Sequence, residues 1–170
     1  MINPLQLALP SVDRLPAFLE FVQDFHAHGE PRYAAALRDP EAYLQRLASF
    51  AVSVDLPPDR VPETSFWALR GYQVVAVSRL RHRLTPTLEQ IGGHIAYEVR
   101  PSVRRQGVGT QLLALTLAQA RQLGLRKVLI TCDVTNLGSA QVIVNNGGLL
   151  EDERVIVGYV ERVARYWIAL

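Results

Sequence analysis

Two arginines, a glutamine and two glycines stand together at Arg104, Arg105, Gln106, Gly107 and Gly109, with Val108 between the glycines and Thr110 behind them. Residues of these types can hold an anion. Glycine removes the Cβ that keeps a phosphate oxygen away from the backbone. A helix that starts here would offer free N–H groups and the positive end of its dipole. The arginines and the Thr110 hydroxyl add charge and a donor to the same end. The spacing is neither Gly-x-Gly-x-x-Gly nor a Walker loop, because no Gly-Lys-Ser/Thr follows, so a dinucleotide fold or an NTPase fits poorly. A tight strand-to-helix turn with solvated arginines would use the same seven residues, and the turn by itself does not decide between the two.

A second block follows further along the chain: Cys132-Asp133-Val134-Thr135-Asn136-Leu137-Gly138-Ser139, with Gly147-Gly148 closing the segment. Asn136 suits the cap of a helix that begins there.

The elements that must position these blocks read as follows. Leu5, Leu7 and Leu9 alternate as a short first strand. Val12, Leu15, Phe18, Leu19, Val22 and Phe25 fall at helical spacing, with Ser11 as the cap and Gly29 as the stop. Asp39-Pro40 opens a second helix carrying Tyr43, Leu44, Leu47 and Phe50. Pro57, Pro58 and Pro62 mark a loop. Strands over 66–69 and 74–80 join around Gly71-Tyr72 as a hairpin. A strand over 93–99 turns Ile95, Tyr97 and Val99 one way and His94, Ala96 and Glu98 the other. The strongest helical stripe, Leu112, Leu113, Thr116, Leu117, Ala120 and Leu123, ends at Gly124. The apolar run 127–132 predicts a strand covered on both faces, as in a parallel pair. A short helix over 138–145 and terminal strands over 154–160 and 163–168 complete an α+β (α/β-like) layer of sheet with helices on both faces, and we expect a single domain over 1–170.

The seven-residue turn resembles the cofactor motif of the GNAT N-acetyltransferase family, Gln/Arg-x-x-Gly-x-Gly/Ala, and the Asn136 block resembles that family's next motif at the expected distance. The resemblance covers the whole chain in element order and residues 93–148 at motif level. It implies the GNAT fold, a mixed central sheet whose strands 93–99 and 127–132 splay apart around acetyl-CoA. It implies a diphosphate on the amides of Gln106 to Thr110, with Arg104 and Arg105 adding charge. Backbone groups of Tyr97 and Val99 would pair with the pantetheine arm, and Asn136 and Ser139 would touch the arm or the adenosine side. The implied reaction is direct acetyl transfer to a primary amine in a ternary complex. An alkyl amine is mostly protonated at neutral pH, so a base must take its proton. Glu98 is the first candidate, with His94 joining a proton wire; a solvent-facing or arginine-paired Glu98 and a structural His94 are the competing readings. Many relatives carry a tyrosine seven residues after the asparagine to protonate the leaving thiolate, where this chain has Ile143. That departure favours an alternative, a catalytically inactive CoA-binding sensor or partner module. An unrelated scaffold with a fortuitous glycine turn ranks third.

Composition narrows the class further. A net charge of +2 with 20% charged residues is no basic field, so nucleic acid is not an expected partner. One cysteine, Cys132, allows no internal disulfide and reads as a small buried hydrophobe. No charged leader precedes a long apolar stretch and no run approaches a membrane span, which predicts a cytoplasmic protein without a membrane partner. No metal-ligand spacing stands out. Lys127 is the only lysine. His26, His28, Glu30, Tyr33 and Asp39, between the first two helices, could receive a cationic amine, although a solvated helix junction contains the same residue types. The acceptor, whether small molecule or peptide, stays open, as does a homodimer.

Overall fold

The computed structural model describes residues 4–52, 56, 57 and 59–170; Pro58 lies outside them. Among the described residues, seven strands and six α-helices follow one another as β1 (Gln6–Ala8), α1 (Leu15–Ala27), α2 (Ala34–Arg38), α3 (Pro40–Ala51), β2 (Glu63–Arg70), β3 (Gln73–Arg81), α4 (Pro86–Gln90), β4 (Ile95–Val99), α5 (Val108–Gln122), β5 (Lys127–Asp133), α6 (Leu137–Asn145), β6 (Leu149–Arg154) and β7 (Val163–Ala169). They build two sheets, of order β1-β2-β3-β4 and β5-β7-β6, in which every ladder is antiparallel.

Helices cover both faces of the larger sheet. On one face α1 buries Phe18, Phe21, Val22 and Phe25 against Trp67, Val74 and Val77, with Phe18 stacked on Trp67 at 4.4 Å between ring centres. On the other, α5 sinks Leu113, Leu117 and Ala120 among Phe66, Leu80 and Ile95, and the same cluster runs on into Val128, Ile130 and Ile168 of the smaller sheet. Non-polar area removed from water by these stripes is the main driving force holding helix to sheet. Asp39 caps α3 by accepting from the Ala42 amide at 3.0 Å, as its sequence position predicts.

Four expectations are corrected. Residues 127–132 do form a strand covered on both faces, but it pairs antiparallel with β7; an apolar run reports coverage and leaves direction undetermined. The sheet is split rather than continuous. The strand expected at 154–160 is instead β6, ending at Arg154, because Leu149 and Leu150 lie opposite Trp167 and Tyr166 in the ladder while Val157 and Val160 point into solvent. Ser11 makes no side-chain cap; a 3-10 turn over Val12–Arg14 precedes α1, and Pro16 sits in the first turn of the helix proper, where its missing N–H costs nothing.

Candidate active site

Besides their shared core, the two sheets are linked by hydrogen bonds at one end of β4, where the Gly92 amide also donates to Thr131 Oγ1 at 2.9 Å. In the β3–β4 ladder, Arg81 donates to the carbonyl of His94 and Arg100 donates to that of Val75, with the register continuous between them. Hydrogen-bonded and open positions alternate along an antiparallel pair, so the backbones of Ile95, Tyr97 and Val99 face away from β3. The same logic applies to β5. Val134 donates to Arg162 and Leu170 to Arg126, which turns the backbones of Leu129, Thr131 and Asp133 away from β7.

Those two free edges touch only at their start. The His94 amide donates to the Leu129 carbonyl at 2.7 Å, and the Leu129 amide donates back to His94 Nδ1 at 2.9 Å. Beyond this pin no ladder joins β4 to β5. Instead a cavity of about 280 Å³ opens, lined by residues 95–97 and 130–133 together with Asn136, Ser139 and Tyr159.

His94 therefore serves as a structural pin, with its amide and its Nδ1 both engaged by Leu129. It is 7% exposed, its ring edge meets Trp167, and burial, helped by Arg81, lowers its pKa to about 4. Lys127 covers the Trp167 ring, 4.3 Å from its centre. Protonating Nδ1 would aim a donor at the Leu129 N–H, so the native state disfavours the proton. Because the folded pKa lies below the unfolded value near 6.5, this stability is fully present above about pH 6.5 and is lost as pH falls towards 4. His94→Asn keeps an acceptor without the titration. Urea midpoints at about pH 7 and about pH 5 should fall more in the parent than in the variant; equal falls would refute the pin's protonation cost.

Glu98 lies on the opposite face of β4 from Tyr97. Its carboxylate takes a hydrogen bond from Arg32 at 2.7 Å and another from the Tyr33 phenol, so the arginine-paired reading of Glu98 is the observed one. Burial, then the Glu98 charge, pushes the Tyr33 phenol well above the ordinary tyrosine range. Each carboxylate oxygen still has a free lone-pair direction. Tyr33 is visible as a junction residue in the sequence; its reach across 65 positions to Glu98 is not.

The glycine turn leads into α5 beside the end of the β4 edge. A Cβ on Gly109 would stand 3.5 Å from Val99 Cγ2 and 3.1 Å from Val142 Cγ2, so a larger residue here would make the Val142 side chain give by a few tenths of an ångström. Gly107 has a φ of +75°, a region glycine enters without strain, and Arg105 shares the left-handed region at +63°. Two left-handed residues in so short a turn bring its N–H groups round to one side, an arrangement that suits an anion. Among the described residues, the amides of residues 105–110 donate to no protein group; the first amide engaged is that of Gln111, on the Gly107 carbonyl. Arg104 is diverted from this turn. It grips Glu30 through two bonds of 2.5 and 2.8 Å, which hold the Glu30 carboxyl below its usual range, and its Nε donates to the Val99 carbonyl. The charge left at the turn is that of Arg105. Gln106 and Gly107 are exposed, while Val108 is buried and Thr110 half-buried.

Residues 17–147 match the model of the acetyltransferase (GNAT) family. The chain belongs to the GNAT family. Acetyl-CoA is the co-substrate that comes with this membership, and the free edges and free amides suit it. The pantetheine arm carries amide groups that a strand edge can pair, and its diphosphate suits a run of unclaimed N–H donors. Solved structures agree in fold. A ribosomal L7/L12 alpha-N-protein acetyltransferase, RimL, in complex with coenzyme A, is 20% identical, covers 100% of this chain and 98% of its own, and gives a TM-score of 0.72. The microcin C7 self-immunity acetyltransferase MccE, in complex with acetyl-CoA and AMP, is 11% identical, covers 98% and 92%, and gives 0.73. The Salmonella typhimurium acetyltransferase that modifies the N-terminal serine of L7/L12 is 19% identical, covers 100% and 99%, and gives 0.69. No curated protein sequence matches the chain.

Within this GNAT chain the second motif caps a helix, Asn136 accepting from the Ser139 amide at 3.0 Å. Ser139 Oγ lies 2.7 Å from the Tyr97 hydroxyl, tying β4 to α6 across the cavity; burial raises that phenol to about 12 against the effect of the Ser139 hydrogen bond. Ile143 is wholly buried and offers no proton. Burial also raises the Cys132 thiol, which disfavours the nucleophilic thiolate. Among the described residues, no group of three or more metal-ligating side chains gathers, and no helix is long and apolar enough to cross a membrane.

Proposed function

We propose that this GNAT chain is an N-acetyltransferase moving acetyl from acetyl-CoA directly to a primary amine, without an acyl-enzyme. The observation that carries this reading is the pair of unpaired strand edges across a cavity, β4 ending beside the free amides 105–110. Bound acetyl-CoA supplies an acetyl thioester, whose C–S bond breaks as the amine nitrogen bonds to the acetyl carbon. The amides 105–110 and Arg105 hold the diphosphate, and the outward backbone groups of Tyr97 and the amide of Val99, whose carbonyl Arg104 engages, pair with the arm. An outward amide of β4 polarises the carbonyl. Asn136 and Ser139 line the same cavity.

Glu98 accepts the amine proton, directly or through one water, while Arg32 and Tyr33 fix the carboxylate's orientation. A thiolate is a tolerable leaving group, so water can protonate it where Ile143 cannot. Acceptors of peptide and small-molecule type both agree with the fold neighbours, two of which act on a ribosomal protein N-terminus. A lone Cys132 fits a cytoplasmic setting.

Glu98→Gln should lower kcat for thiol release by about 10²-fold or more, the usual scale of general-base removal, while the melting rise caused by acetyl-CoA persists. Turnover within threefold of the parent would remove Glu98 from the role. The second reading, a CoA-binding module without turnover, is favoured by the burial of Ile143; binding of acetyl-CoA with no thiol release across an amine panel would select it.

A further inference from the structure

We infer that the acceptor enters a second cavity, between α2, α3 and the larger sheet, and that it is an amine carrying an anionic group read by Arg46 and Arg79. This rests on the acetyltransferase reading and adds a substrate class to it. The cavity holds about 230 Å³ and is lined by Tyr33, Tyr43, Arg46, Trp67 and Arg79, among others. It adjoins the cofactor gap through a single cross-strand pair, since Arg79 stands opposite Ala96 and Ala96 lines the gap. Alternation puts Glu98 on the face of Ala96 and Arg79, and its carboxylate is bonded to Tyr33, which lines this cavity. A ligand seated there meets the Arg79 guanidinium directly and has Glu98 behind Tyr33, outside the lining itself.

Arg46 and Arg79 reach this cavity from exposed positions, and the cavity's own acid, Glu63, is engaged by Arg81. Arg32 is matched by Glu98, Arg81 by Glu63 at 3.2 Å and Arg104 by Glu30. Arg46 and Arg79 have no carboxylate within ion-pair distance among the described residues, and Arg46 is braced over the Tyr43 ring, 5.2 Å from its centre. Planar guanidinium groups recognise carboxylates and phosphates by paired hydrogen bonds. Two unanswered cations repel a simple polyamine. They favour an amine whose own anion docks on Arg79 and Arg46, leaving its nitrogen towards Ala96 and Glu98, with the aromatic rings of Tyr33, Tyr43 and Trp67 walling the body between.

Calorimetry with the protein saturated in CoA tests this without requiring turnover. The probes are L-phenylalanine, O-phosphoethanolamine, and the counterparts that lack the anionic group, L-phenylalaninamide and propylamine. At least one anionic amine should bind tenfold or more tighter than its counterpart, and the two anionic arms distinguish carboxylate from phosphate. Arg79→Gln and Arg46→Gln should each cut that preference at least fivefold while the CoA affinity holds. Equal binding of amines with and without the anionic group, no binding of any probe, or a preference unchanged in both variants would overturn the inference. Failure of CoA itself to bind would instead strike the acetyltransferase reading, and the same titrations on the protein alone would still decide the role of the arginines.

Discussion

Replacing Gly107 with aspartate is expected to abolish the thermal stabilisation conferred by acetyl-CoA while the free protein still folds. A ligand at 100 times its dissociation constant adds about 2.7 kcal/mol to native stability, which for a domain of this size is a rise of roughly 5–11 °C. The parent should show that rise. Gly107 has a φ of +75°, and a Cβ there would meet only the flexible Gln111 side chain at 4.0 Å. Aspartate and asparagine both tolerate that region of backbone space, so both variants should melt within about 3 °C of the parent when no ligand is present. Only aspartate places a carboxylate among the free amides 105–110. The Gly107→Asn variant should keep at least half of the rise and the Gly107→Asp variant none of it. Equal rises in both variants would move the diphosphate away from this turn, and no rise in the parent would remove acetyl-CoA binding altogether.

Gly93→Ala should produce the largest loss of stability. This glycine has a φ of +60°, and a Cβ on it would press into the carbonyl oxygen of Leu129 and stand 2.9 Å from that carbonyl carbon. The obstacle is backbone, which cannot rotate aside, and it is the carbonyl that receives the His94 amide. Backbone strain and overpacking together are expected to cost roughly 3 kcal/mol or more, a fall in Tm of about 6–12 °C. Gly124→Ala is the control. It has a φ of +89° with nothing within 4 Å of its would-be Cβ, so it isolates the strain of the left-handed backbone. A Gly93 variant that melts within about 2 °C of the Gly124 variant would show that the pin between the sheets yields easily.

These two glycines differ in how legible they are. Gly107 sits inside a local pattern of residues whose types already suggest anion binding, because such a turn is built from consecutive residues. Gly93 gives no local signal. Its necessity comes from Leu129, a contact set by how β4 and β5 cross. Most helices and strands can be read from periodicity, since burial of one stripe leaves its period in the sequence. Val155 and Val157 mislead because alternating valines imitate a half-buried strand; both are exposed, as is Val160 beyond the left-handed turn at Gly158. In the site, Glu98 is readable from its position in a strand. Arg32 and Tyr33, which hold it, come from more than sixty residues away. Proximity in the chain assigns Arg104 to the turn, and Glu30 claims it through space. Arg79 and Arg46 read as ordinary surface arginines until the fold sets both beside one cavity.

Lys127, clamped over Trp167, is the only side-chain amine in the chain. Side-chain self-acetylation therefore has one address. In an intact-mass experiment with acetyl-CoA, a Lys127→Arg variant would remove that address while keeping a cation over the ring. Acetyl groups found on an added protein or peptide could then be counted against an enzyme almost free of internal acceptors.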